Sequence, residues 1–450
     1  MHTLKPSRGS FLAVAVLCVS IASLPQALAV PVYTVVDLGT LGGQYSAALG
    51  LNQHGAVVGQ ASDISGVTRA FVAQGAPSVP VGPLAIITSD ARAINSSGAV
   101  IGTANASSGA FGYVWRDGVT TQVPPIAGGS PGRSWRTYAN DINDAGWVVG
   151  ASSLPSGPVG NLHAVHLRDG AVTDLGTLGG TQSQAYGINA SGQIVGAASL
   201  AGDTGTRAFL WSNGDMISLG TLGAGTFSIA WDISDSGYIT GWSATNKNSD
   251  FHAFLHTDSM LNDLGTLGGS RSIGYGVNNT KQVVGVSTVS ATDFSGRAFL
   301  HLDGSMYDLN DLISSESAQD WFLYEARAIN DAGQIVGIGA LNGVQRAYLL
   351  NPVSEVPEPS SLVLVAASLL LLLRRSLTLP AKQSRLWTRD WRIGRRWSAS
   401  SPALRDGSPG PVATNLSSTA EYAPRGELNR SNSVTPLSLH LANRAGNLRF

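Results

Sequence analysis

The residues in this 450-residue chain whose types and spacing invite a chemical reading are a few histidines, aspartates and glycine runs. His163-x-x-His166 and His252-x-x-x-His256 are the close pairs among eight histidines. On a strand, side chains three residues apart point to opposite faces and those four apart share one. Only His252 and His256 can therefore converge on a metal ion, and no carboxylate stands near them at the spacing of a zinc site. Asp141, Asp232 and Asp263 each lie beside a strand-like apolar run. A fold that gathers carboxylates from several units onto one face can build an acid–base pair for cleaving glycosidic bonds. The glycines of D-L-G-T-L-G-G invite comparison with phosphate-cradling loops. However, no G-x-x-x-x-G-K-[ST] occurs, and no G-x-G-x-x-G opens a helical pattern. The residues alone thus assign no catalytic residue, cofactor-binding residue or metal ligand.

The elements that would position these groups come from a repeat. A unit of the form A-x-x-I-N-x-x-G-x-V-V-G recurs, with its anchor at Asn52, Asn95, Asn143, Asn189, Ser234, Asn278 and Asn330. A period of about 46 residues is the signature of four-stranded propeller blades. Each unit contains an A-F-L-W type strand, a strand entering L-G-T-L-G-G, the A-x-x-I-N strand and the V-V-G strand. Turn residues separate them: Asp117-Gly118, Asp169-Gly170, Asn213-Gly214 and Asp303-Gly304 favour the positive φ angles of tight hairpins. In N-x-x-G the Asn opens a turn through its own backbone and the Gly closes it in the left-handed conformation. A calcium loop is disfavoured because the D-x-D-x-D oxygen spacing is missing.

The two ends of the array complement one another. The body begins on a strand of the second type (33–38) and ends on a lone strand of the first type (347–350). Pairing them covers two exposed edges. The expectation is an all-β, seven-bladed β-propeller of about 46-residue repeats, closed by pairing of its N- and C-terminal strands.

Charge and flanking segments bear on destination. Residues 30–356 carry 13 Lys and Arg against 24 Asp and Glu, which argues against a nucleic-acid partner. Residues 1–29 have Lys5 and Arg8, a short apolar run and Ala27-Leu28-Ala29, the pattern of a cleaved signal peptide. Cys18, the single cysteine, falls within that segment, so the mature chain would hold no disulfide. After the array come Pro357-Glu358-Pro359, an apolar run and Arg374-Arg375. The run is short for a stable span and suits a transient anchor. Residues 377–450 are basic, with 13 Lys and Arg against 4 Asp and Glu from residue 374 onward, and read as a disordered tail.

The triplet His252-Ala253-Phe254, its variants beginning at Arg69, Arg207 and Arg297, and the D-L-G-T-L-G-G runs at 37–43, 174–180 and 263–269 together resemble the extracellular HAF-repeat family. The resemblance covers nearly all of residues 30–352 and implies an exported bacterial β-rich protein without transferable catalytic residues. Residues 354–376 resemble a PEP-CTERM sorting signal. That likeness implies processing by an exosortase, with transient inner-membrane anchoring and release to the cell surface or matrix, while signal peptidase is the partner expected from residues 1–29. The array departs from the usual ending of such signals, because a long tail follows the basic stop. The resulting expectation is a non-enzymatic binding or structural module associated with exopolysaccharide or another surface protein. A polysaccharide-active enzyme with carboxylates in the central pocket is the alternative.

Overall fold

Each repeat folds into one antiparallel sheet because its four apolar runs are short and its turns force tight reversals. The structure is a computed structural model. It describes residues 30–353 apart from 76, 84–86, 108, 127–135, 156–160, 246–249, 258, 291 and 293–294. The signal-peptide positions Ala27 and Ala29, the sorting positions Pro357, Glu358, Pro359, Arg374 and Arg375, and the basic tail lie outside the described residues.

The described chain forms seven four-stranded sheets, the blades of a seven-bladed β-propeller. The inner strands of blades 1 to 7 are Gly42–Leu51, Thr88–Ile94, Thr137–Ile142, Gly179–Ile188, Ser228–Ile233, Ser272–Val277 and Trp321–Ile329. All seven are the A-x-x-I-N segments. The V-V-G strand comes second, the A-F-L-W strand third and the strand leading into L-G-T-L-G-G outermost. The expected closure is present. Tyr33–Asp37 supplies the outer strand of blade 7, antiparallel to Val344–Pro352, with Val35 opposite Leu350 and Asp37 opposite Tyr348.

Three recurring motifs have a direct packing cause. The V-V-G glycine lies against the inner strand. A Cβ on Gly59, Gly102, Gly150, Gly196, Gly241, Gly285 or Gly337 would stand within about 2 Å of an inner-strand carbonyl oxygen. The aromatic ring of the third strand fills the space beside it, and Phe71, Phe209, Phe254, Phe299, Tyr113 and Tyr348 are fully buried. Each such ring contributes about 1.5–3 kcal/mol by leaving water. Where the ring is tyrosine, its hydroxyl donates to the same inner-strand carbonyl: Tyr113 Oη to Asp90 O at 2.8 Å, and Tyr348 Oη to Glu325 O at 2.9 Å.

The third motif joins blades. A hydroxyl two residues before the A of A-x-x-I-N accepts the N–H of the preceding blade's third strand. Examples are Ser89 from Ala70 at 3.0 Å, Ser183 from Ala164 at 2.8 Å and Ser272 from Ala253 at 2.8 Å. The same link closes the ring, from Ala347 N to Ser46 Oγ at 2.9 Å. Blade 7 has Tyr324 at this position, and the Asn310 side chain instead holds the Leu323 backbone, accepting from its N at 2.7 Å and donating to its O at 3.1 Å.

L-G-T-L-G-G is a turn between blades, as the sequence indicates. Thr177 Oγ1 accepts from Gly179 N at 3.1 Å and donates to Gly180 O at 2.9 Å, and Thr266 repeats the arrangement. The D-G and N-G hairpins also form as expected, with φ near 50° and 82° at Asp303 and Gly304.

Candidate functional site: the axial cavity

All seven inner strands break their ladder at one place. The register slips between the A and the second x of A-x-x-I-N: Ala48/Gly50, Ala91/Ala93, Ala139/Asp141, Ala185/Gly187, Ala230/Asp232, Gly274/Gly276 and Ala326/Ala328. A bulge leaves one residue unpaired and re-aims its side chain. The residue re-aimed here is the first x: Leu49, Arg92, Asn140, Tyr186, Trp231, Tyr275 or Arg327. All seven are half-buried and line a central cavity of about 270 Å³. The wall is uneven. Blades 4 to 7 present Tyr186, Trp231, Tyr275 and Arg327 in succession. Tyr186 and Trp231 lie 4.3 Å apart between centroids, Trp231 and Tyr275 5.9 Å, and the Arg327 guanidinium sits 4.1 Å from the Tyr275 ring.

Both arginines are neutralised on their own strands. Arg92 donates to Asp90 at 3.2 Å, and to Asn140 Oδ1 at 2.6 Å, while Arg327 pairs with Glu325. Burial works against the charge of each arginine, but the neighbouring acid more than offsets it and holds the guanidinium protonated.

The second x carries the cavity's two interior acids. Asp141 Oδ1 accepts from Ile142 N at 2.8 Å and Oδ2 from Ile188 N of the next blade at 2.8 Å. Asp232 does the same with Ile233 N at 2.8 Å and Val277 N at 2.9 Å. Each carboxylate therefore staples two blades. Burial pushes the Asp141 carboxyl up to about 8, with the charge of Asp232 adding to the effect and the two N–H bonds opposing it. Asp232 is pushed up by burial to about 6 against its own pair of N–H bonds.

Below the mouth runs a ring of asparagine bonds. The side-chain Nδ2 of Asn52, Asn95, Asn143 and Asn189 each donates to the backbone oxygen of the next blade's anchor residue, at 3.1 to 3.2 Å. Asn278 donates to Asn330 O and Asn330 to Asn52 O, so the circuit runs round the ring except at Ser234, which has no side-chain amide to donate. The Oδ1 of the same asparagines accepts turn N–H groups, as in Ala56 N to Asn52 at 2.9 Å. The mouth itself carries the exposed acids Asp144, Asp235 and Asp331, which accept from the backbones of Ser96, Ala190 and Asn279 at 2.7 to 2.9 Å.

Of the three sequence candidates, Asp141 and Asp232 line the central cavity and Asp263 does not. Asp263 is on the outer strand of blade 5, bonded to His252 Nδ1 at 2.9 Å, and His163 holds Asp174 in the same way in blade 3. Arg297 with Asp308 at 3.0 Å, and Arg346 with Asp37 at 4.0 Å, repeat the pairing. The first residue of H-A-F and the Asp of D-L-G are thus cross-strand partners. His252 is engaged with Asp263, and among the described residues no three His, Cys, Asp or Glu side chains group as metal ligands. Sequence reasoning missed the aromatic and arginine wall. Its only signal was one variable position inside an otherwise repeated frame.

A family described as "protein of unknown function (DUF3466)" matches residues 224–348. No curated protein matches the chain. Among solved structures it is similar to TolB from Acinetobacter baumannii, at 11% identity over 66% of this chain and 63% of that one, with a TM-score of 0.38. It is also similar to YCF48 bound to D1 peptide, at 13% identity over 73% and 99% of the two chains, with a TM-score of 0.38. A Mycobacterium tuberculosis puromycin-hydrolysing peptidase matches at 10% identity over 72% and 55%, with a TM-score of 0.43.

Proposed function

We propose that the chain is an exported, surface-displayed or matrix-released propeller that binds a saccharide in its axial cavity without cleaving it. One observation carries this reading: the run of aromatic side chains Tyr186, Trp231 and Tyr275 along a polar cavity closed in by asparagine and aspartate. A flat aromatic face beside convergent hydrogen-bonding groups suits the apolar face and hydroxyl rim of a pyranose. Both oxygens of Asp141 and of Asp232 accept backbone N–H groups, which fits carboxylates that hold blades together rather than attack a substrate. Destination rests on the sequence, through the signal-peptide pattern of residues 1–29 and the sorting-like segment 354–376. Exopolysaccharide is the ligand source this destination favours.

The second reading, a polysaccharide-active enzyme, is favoured by a single feature. Two carboxyls of the same cavity are pushed to different levels, about 8 and about 6, as an acid and a base would need. Incubating the purified full chain with its host's exopolysaccharide separates the two. Retention of the polymer with constant viscosity supports the binder, and falling viscosity supports the enzyme.

A further inference from the structure

The charges around the cavity are not balanced, and the imbalance selects a ligand. Arg92 and Arg327 are each spoken for by an acid on their own strand, Asp90 and Glu325, neither of which lines the cavity. Asp141 and Asp232 inside the cavity, and Asp144, Asp235 and Asp331 at its mouth, have no basic partner among the described ion pairs. Asp141, pushed up to about 8 by burial, holds its proton at neutral pH and adds little charge. The hydrogen bonds of Asp232 and of the mouth acids run to backbone N–H groups, and at Asp331 also to the Asn279 side-chain amide, which satisfy oxygen lone pairs but leave the charge in place. Low-dielectric walls concentrate such a field within a cleft.

The aromatic wall is an independent observation pointing the same way. Aromatic faces attract cations within about 6 Å of the ring centroid. The chain already uses this wall for that purpose, since Arg327 lies over Tyr275 at 4.1 Å. The neighbouring ring, Trp231, is half-buried on the cavity wall beside Asp232, the next residue of its strand. A site with an indole face, adjacent carboxylates and about 270 Å³ of space is near the lower end of the roughly 300–1,000 Å³ of small-molecule pockets. That is room for one sugar unit, not a long segment.

Building on the saccharide-binding reading above, we infer that the cavity selects a sugar unit bearing a protonated amine, with the ammonium group between Trp231 and the carboxylates of Asp232 and Asp235. A uronate is disfavoured because it would add a negative charge to this field while the two arginines are already paired.

The test is calorimetric titration of the full chain with three oligosaccharide probes: glucosamine oligomers, their N-acetylated counterparts and galacturonate oligomers. The glucosamine oligomer is expected to bind at least ~10-fold more tightly than the other two, with affinity falling as salt rises. Trp231→Ala and Asp235→Asn are each expected to weaken that binding, whereas Asp263→Asn leaves it unchanged. Asp235→Asn keeps an amide oxygen for the Ala190 N–H at an exposed position, so it reports even if Trp231→Ala fails to fold. Equal or tighter binding of the N-acetylated or galacturonate oligomer overturns the charge assignment and leaves the saccharide-binding reading standing. Failure of all three probes, and of the host's exopolysaccharide, overturns both.

Discussion

Asn330 donates its side-chain N–H to the backbone oxygen of Asn52 at 3.2 Å, although 278 residues of chain separate them. This bond is the last link of a circuit that otherwise steps from each blade to the next. It closes the molecule on its inner rim, while the pairing of Tyr33–Asp37 with Val344–Pro352 closes it on the outer one. The circuit has one gap, at Ser234, whose hydroxyl accepts from Tyr238 N at 3.2 Å and has no amide to offer Asn278.

That gap gives a prediction of either sign. Asn143→Ala removes the acceptor of Trp147 N at 3.0 Å and the donor to Asn189 O at 3.1 Å. The loss is expected to cost about 1–3 kcal/mol, because buried partners go unsatisfied. Ser234→Asn supplies the missing donor and is expected to gain about 0.5–1.5 kcal/mol. Urea denaturation of both variants reads the difference, and a destabilised Ser234→Asn would count against the circuit.

Glycine positions separate close approach from backbone conformation. Gly196→Ala would set a Cβ 2.0 Å from Gln184 O and 2.8 Å from the Phe209 ring. It is expected to cost about 3 kcal/mol. Gly304 has φ of +82° with open space around it, so Gly304→Ala meets only the left-handed penalty, about 1–2 kcal/mol. Thermal melts that rank the two the other way would contradict the packing account.

How much of this could be read beforehand depends on which residues carry it. Blade number and closure were legible, because Asn52 to Asn330 repeat in fixed phase and the terminal strands are complementary halves. The hairpins at Asp117, Asp169, Asn213 and Asp303 were legible because those dipeptides admit positive φ. The axis-lining strand was not. In A-x-x-I-N the bulge shifts the side-chain alternation by one residue, and period two alone cannot say where Trp231 or Arg327 points. Asp141 and Asp232 were picked out together with Asp263 because all three flank strands. Only the bulge, with its extra residue, puts the first two on the axis and leaves Asp263 at the rim beside His252.

Acidity should strengthen the ring. The Asp141 and Asp232 carboxyls stand at about 8 and about 6 in the fold, against an ordinary value of 3.8. Beside burial, the charges that raise Asp141 are those of Asp232 and Asp235, both acids. A raised folded value means the native state keeps protons that the unfolded chain has lost. These two groups therefore favour folding most at and below pH 4. Their contribution declines as pH rises, through about 6 for Asp232 and about 8 for Asp141. Melting temperature is expected to fall between pH 5 and pH 8.5, with a shallower slope in Asp141→Asn. A slope unchanged by that substitution would contradict the assignment.

Pairing of the two ends of the array is what makes the ring, and a cross-link reads it directly. Thr34 and Asn351 are register partners in the closing pair. In a Cys18→Ser background, Thr34→Cys with Asn351→Cys is predicted to form an intrachain disulfide under mild oxidation, seen as faster migration on a non-reducing gel. The out-of-register pair Thr34→Cys with Gln345→Cys is predicted not to. Folded protein in which Thr34→Cys and Asn351→Cys remain free thiols, or in which both pairs link equally, would contradict the closed ring.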